Sequence, residues 1–130
     1  MEVKRFLDNL MAQLEGAFAE NTLKAYRSDF KHFANWAVSK GLDPLPPKAA
    51  DLAQYIEDMT AFQKSATIRR RINTLGSICF FAGFKNSTKT PEVKIALKKM
   101  HRKIGRQQKQ AHPLTLDLLE QLLKINVIPL

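Results

Sequence analysis

Apolar positions recur with a helical period along almost the whole chain. Val3, Phe6, Leu7, Leu10, Met11 and Leu14 follow the i, i+3, i+4, i+7 spacing of one amphipathic helix face, and Gly16 interrupts it. Leu23, Tyr26, Phe30, Phe33 and Ala37 form a second stripe, with Asn21 placed as its N-cap and Gly41 as its stop. "DPLPP" (Asp43–Pro47) then reads as a rigid connector, because proline removes donors and disfavours helix in the residue before it. A third, shorter helix, about Ala49–Met59, carries Leu52, Tyr55, Ile56 and Met59.

Ser65 is expected to cap a fourth helix with the stripe Ile68, Ile72, Leu75, Cys79 and Ala82, stopped by Gly83. In "NSTKTPE" (Asn86–Glu92) the start signal is complete: Thr90 as cap, Pro91 at the first helical position and Glu92 in the first turn. The fifth helix turns Val93, Leu97, Met100 and Ile104 inward and is expected to end near Gly105. "GRQQKQAHP" (Gly105–Pro113) is polar, aperiodic and basic, so it reads as a linker. Leu114 and Thr115 then open a sixth segment, with Thr115 as cap and Leu114 and Leu119 as a hydrophobic staple. No strand alternation, long repeat or low-complexity tract appears. The pattern predicts an all-α protein. Residues 1–108 form a small bundle of four core helices (Asn21–Lys40, Ala49–Met59, Ser65–Ala82, Pro91–Ile104) plus an N-terminal helix. Residues 109–130 form a linker and the first helix of a further domain.

Charge adds a partner to this picture. The 130 residues carry a net charge of +9. Between Phe62 and Gln110 there are 13 basic residues and a single acid, Glu92, whereas the remainder is slightly acidic. Such segregation points to a polyanion, nucleic acid first. On a helix each residue advances by about 100°. With Ile68 taken as the core direction, Arg70 falls nearly opposite, Arg69 and Arg71 flank it, and Asn73 and Ser77 continue the outer face. Lys94, Lys98, Lys99, Arg102, Lys103 and Arg106 occupy the outward half of the fifth helix. Neither face holds acids for i, i+4 pairing, so the arginines of "SATIRRRIN" are expected to be unpaired in the free protein. On that basis their removal should leave thermal stability level or slightly raised. Phosphates would offset the crowding, and an arginine fork also pairs bidentately with guanine. A solvated basic face, or a membrane-surface or calmodulin-target helix, is the competing interpretation. Solubility alone does not require segregation, and the fifth helix lacks the aromatic residues such helices carry.

Other chemistry finds little support. Tyr26 and Tyr55 sit within apolar stripes and read as core, as does Trp36. His32, His101 and His112 show no ligand spacing, one cysteine makes no zinc site, and Cys79 reads as a buried, inert thiol. There is no glycine-rich phosphate loop and no hydrolase or transferase constellation, so no metal or cofactor is expected. No apolar run approaches the roughly 20 residues of a membrane span. The N-terminus lacks the apolar stretch of a signal peptide, and a single cysteine fits a reducing compartment.

The order of segments resembles the N-terminal core-binding, SAM-like domain of tyrosine recombinases, the phage integrase family. The segments are "ENTLKAYRSDFKHFANWAVSKGL" (Glu20–Leu42), "PPKAADLAQYIEDM" (Pro46–Met59), "SATIRRRINTLGSICFFAGF" (Ser65–Phe84), "TPEVKIALKKMHRKIG" (Thr90–Gly105) and "KQAHPLTLDLLEQLL" (Lys109–Leu123). The resemblance implies a helical bundle that clamps a recombination half-site together with a C-terminal catalytic domain. The helices matching Asn21–Lys40 and Ser65–Ala82 would face the major groove. It also implies that the helix matching Val3–Glu15 packs on a neighbouring protomer of a synaptic tetramer, and is therefore less tightly held in its own bundle. The family's catalytic arginines, lysine, histidines and tyrosine lie beyond the segment matching Leu114–Leu123. The chain is thus expected to bind DNA without cutting it, in a bacterial or phage-encoded, cytoplasmic and nucleoid-associated setting.

The residues expected to contact double-stranded DNA are Lys24, Arg27, Ser28 and Lys31 on the second helix and Thr67, Arg69, Arg70, Arg71 and Asn73 on the fourth. Lys98, Lys99, Arg102, Lys103 and Arg106 on the fifth are expected to contact phosphates. The alternative is a helical DNA-binding module of a transcriptional regulator. It would place a 3–4-residue turn before the recognition helix, whereas the pattern suggests a gap of roughly five around Ala61–Lys64.

Overall fold

The computed structural model describes the backbone of residues 3–111 and the side chains of residues 3–105. It divides into two compact units, Met1–Met100 and His101–Leu130; the bundle below is the first. The elements are α1 (Val3–Leu14), α2 (Glu20–Ser39), α3 (Ala49–Thr60), α4 (Ser65–Ala82), a single 3-10 turn (Ser87–Lys89) and α5 (Pro91–Ala111). Among the described residues there is no strand, only one isolated bridge between Glu15 and Phe18. The all-α expectation holds.

Helix α2 is the hub, packing on α1, α3 and α4, while α4 also packs on α3 and on the 3-10 turn. Leu7, Phe30, Phe33, Leu52, Tyr55, Ile56, Ile68, Leu75 and Ile78 are fully buried where these helices meet. The Phe33 and Trp36 rings lie 5.1 and 5.0 Å from that of Tyr55, which joins α2 to α3. Each such buried apolar side chain contributes about 1.5–3 kcal/mol, more than the ~1 kcal/mol of a side-chain cap. That difference explains two departures from the expected starts. Helix α2 begins at Glu20 with Ala19 as N-cap, ahead of Asn21, and no side chain caps it. Helix α4 begins at Ser65 itself, with Lys64 as N-cap and again no side-chain cap. The α5 start is as expected: Pro91 is its first residue, and Val93 N donates to Thr90 Oγ1 at 3.4 Å. At the other end of α4, Gly83 adopts φ 81°, and Phe84 N reaches back to Cys79 O at 2.8 Å in a Schellman closure.

Three further expectations are corrected. Helix α1 is not loosely held: Leu7, Leu10, Met11 and Leu14 are buried, and Phe6 packs its ring on Phe30 at 5.5 Å and on Phe84 at 5.8 Å. The connection from α3 to α4 is the four residues Ala61–Lys64, inside the range of a helix-turn-helix, so its length does not separate the two DNA-binding readings. Helix α5 does not stop at Gly105 but continues to Ala111. An interior glycine costs only about 1 kcal/mol, and glutamine, lysine and arginine propagate the helix well. The sixth segment, with Leu114, Thr115 and Leu119, lies outside the described residues.

Candidate nucleic-acid interface

Helices α2 and α4 are joined by a polar seam as well as by apolar packing. Asp29, on α2, is only 2% exposed. A carboxylate this deep must be paired, and three groups from α4 supply partners. Arg70 donates from Nη2 to Asp29 Oδ1 at 2.8 Å and from Nε to Oδ2 at 3.3 Å. Thr74 Oγ1 donates to Oδ2 at 2.9 Å. Arg71 Nε stands 3.8 Å from Oδ1, buried and without a hydrogen-bond partner, so that contact is charge against charge.

The seam continues toward α3. Arg71 Nη1 lies 3.3 Å from His32 Nε2 and 3.7 Å from Met59 Sδ, and His32 Nδ1 lies 2.6 Å from the Tyr55 hydroxyl. Burial, followed by the Arg71 charge, pushes the His32 pKa below its ordinary value of 6.5, with Asp29 opposing. Burial also pushes the Tyr55 hydroxyl far above its usual range, so this tyrosine stays protonated. Cys79, fully buried, has its thiol pushed up to about 11 by burial, in keeping with an inert side chain.

These contacts correct the expectation for "SATIRRRIN". Arg70 and Arg71 are not unpaired; only Arg69 of the three makes no ion pair among the described residues. Arg27 on α2 is also engaged, donating from Nη1 to Asp8 Oδ1 on α1 at 2.8 Å. Hydrogen bonds from Lys4 and then Arg27 hold the Asp8 carboxyl below the usual range. Lys24, Ser28 and Lys31 are exposed along α2, Arg69 and Asn73 are exposed on α4, and Thr67 is half-buried. Lys98, Lys99, Arg102 and Lys103 are exposed on α5, and the side chain of Arg106 lies outside the described set.

Arg69, Arg70 and Asn73 open on a groove of about 310 Å³, with Tyr26 of α2 and Thr74 and Ser77 of α4 among its walls. The outer side of Arg70 remains 56% exposed despite its inner pairing. Positive charge, an amide and hydroxyls thus line one concave surface between two helices. Pattern reading missed Asp29, His32, Thr74 and the wall position of Tyr26. A signal for Asp29 was present: it lies three residues after Tyr26 and four before Phe33, within the apolar face of α2. No group of three or more histidine, cysteine or carboxylate side chains that could hold a metal ion occurs among the described residues.

Comparison with known proteins agrees with this architecture. The family model of the phage integrase N-terminal SAM-like domain matches residues 3–83. The chain belongs to that family. It is also similar to a protein of Selenomonas ruminantium named "Integrase/recombinase xerD homolog", with 31% identity over 110 residues. That match covers 82% of this chain and 32% of the relative, so the chain spans about a third of the relative's length.

Proposed function

We propose that this chain is the DNA-binding N-terminal domain of a site-specific tyrosine recombinase and grips one recombination half-site. The observation that carries the reading is the groove between α2 and α4, where Arg69, Arg70 and Asn73 present donors on a family-member fold. Lys24, Ser28 and Lys31 extend the same chemistry along α2. In this reading Arg70 addresses base edges, Arg69 a phosphate at the rim, and the exposed cations of α5 further phosphates. Strand cutting and rejoining belong to a catalytic domain of the parent protein. The exposed face of α1, with Lys4, Arg5, Asn9 and Gln13, is available to a neighbouring protomer in the synapse.

Among the described residues no helix is long and apolar enough to cross a membrane. The test is selection of bound duplexes from a randomised library, followed by titration of the enriched and a scrambled duplex at several salt concentrations. Enrichment of one motif with steeply salt-dependent affinity is expected; absence of salt-dependent duplex binding would end the proposal. The second reading, a transcriptional regulator with α4 as recognition helix, fits the four-residue turn before α4 as well as the recombinase does. The downstream reading frame separates the two: arginines, a histidine and a late tyrosine in a further domain belong to the recombinase.

A further inference from the structure

We infer that Asp29 is a positioning residue for DNA recognition: it holds the guanidinium of Arg70 by its side edge so that the end of the fork faces a base. This rests on the DNA-binding reading above and goes beyond it, since that reading gives Asp29 no role. Arg70 commits Nε and one N–H of Nη2 to the carboxylate, at 3.3 and 2.8 Å. Nη1 and the other N–H of Nη2 make no protein hydrogen bond among the described residues, and the side chain is 56% exposed. Those free groups form the end-on pair of donors that matches the O6 and N7 acceptors of guanine.

Asp29 is itself fixed, because it is 2% exposed and Thr74 Oγ1 holds its Oδ2 at 2.9 Å. A free arginine swings between bases and phosphates, whereas one clamped on a buried carboxylate loses little further freedom on meeting its base. The buried negative charge also opposes indiscriminate phosphate binding. Asp29 therefore trades general affinity for selectivity, and that trade distinguishes positioning from mere support of the fold.

The experiment compares wild type, Asp29→Asn and Arg70→Ala on the library-enriched duplex and on a scrambled duplex at matched salt. Circular dichroism reports folding. Asp29→Asn should bind scrambled duplex as tightly as wild type or more tightly, while preference for the enriched duplex falls roughly tenfold. In the Arg70→Ala background, Asp29→Asn should change preference no further. A folded Asp29→Asn that keeps full preference overturns the inference while leaving DNA binding intact. No binding by wild type overturns the DNA reading instead.

Should Asp29→Asn not fold, the Arg70 Nε–H signal of the wild-type protein decides by NMR. A slowly exchanging signal in both the free protein and the complex supports the clamp. Loss of protection on adding duplex shows that Arg70 leaves Asp29 to bind, and overturns it.

Discussion

Arg71 Nη1 faces His32 Nε2 at 3.3 Å, and an arginine can only donate, so Nε2 carries no proton. The His32 proton therefore sits on Nδ1 and is donated to the Tyr55 hydroxyl, 2.6 Å away. One neutral tautomer links α2, α3 and α4.

Acid should break that link. Burial and the Arg71 charge lower the folded-state pKa of His32 below 6.5, so the unfolded chain binds a proton at higher pH than the folded one. Above about pH 6.5 both states are neutral and the contribution is fully present. As pH falls below that value the unfolded state gains, and stability declines until the folded-state pKa is passed. The urea midpoint of wild type should fall through this window by more than that of His32→Gln, whose amide oxygen still accepts from Arg71. Parallel pH profiles for the two proteins would exclude His32 as the sensor.

Arg70→Ala should destabilise the bundle, reversing the sign expected from charge crowding alone. Its removal strips two hydrogen bonds from a carboxylate that is 2% exposed. The loss should be about 1–2 kcal/mol, because Arg71 and Thr74 remain and the outer arm is screened by water. Arg69→Ala, with no protein partner to lose, should change stability by less than about 0.5 kcal/mol. Equal midpoints for the two variants would show that the Asp29–Arg70 pair contributes nothing.

The elements were legible because periodicity records which side of each helix meets the core. Leu52, Tyr55, Ile56 and Met59, all read as core from spacing, are all buried. The start of α5 was legible because Thr90, Pro91 and Glu92 act locally. The polar seam was not, since Asp29 and Arg70 are 41 residues apart and no i, i+4 scan joins them. The wheel also misled: α4 packs on α2, α3 and the 3-10 turn, so Thr74, Gly76 and Ile78 are buried outside the expected stripe. Its outer face is narrower than one apolar stripe implies. For the candidate interface, the exposure of Lys24, Lys31, Arg69 and Asn73 was readable from the helical period, but the protein partners of Arg27, Arg70 and Arg71 were not.

Gly76 should prove sensitive to a single methyl group. A Cβ there would stand 2.8 Å from Thr88 Oγ1, a short and buried side chain that hydrogen-bonds Asn86. Gly76→Ala should therefore push the 3-10 turn off α4 and cost about 1–3 kcal/mol, although alanine otherwise favours a helix. Adding Thr88→Ala removes the clashing oxygen and should recover part of the loss. A double variant no more stable than Gly76→Ala would locate the strain elsewhere.

The cations of α5 should show two opposite effects of one substitution set. Lys98, Lys99, Arg102 and Lys103 are exposed and make no ion pair among the described residues. Lys98 faces Arg102 and Lys99 faces Lys103 at i, i+4 spacing, where like charges cost about 0.2–0.5 kcal/mol per pair. Replacing all four by glutamine should thus leave the free protein level or up to about 1 kcal/mol more stable. If these side chains meet phosphates, the same variant should bind duplex more weakly. Its log affinity against log salt should flatten by about 0.9 per lost contact, with a ceiling of roughly 3.6. Preference between the enriched and the scrambled duplex should hardly change, since phosphates carry no base identity. A gain in stability with an unchanged salt slope would return the four residues to the status of a solvated face and leave DNA contact to α2 and α4.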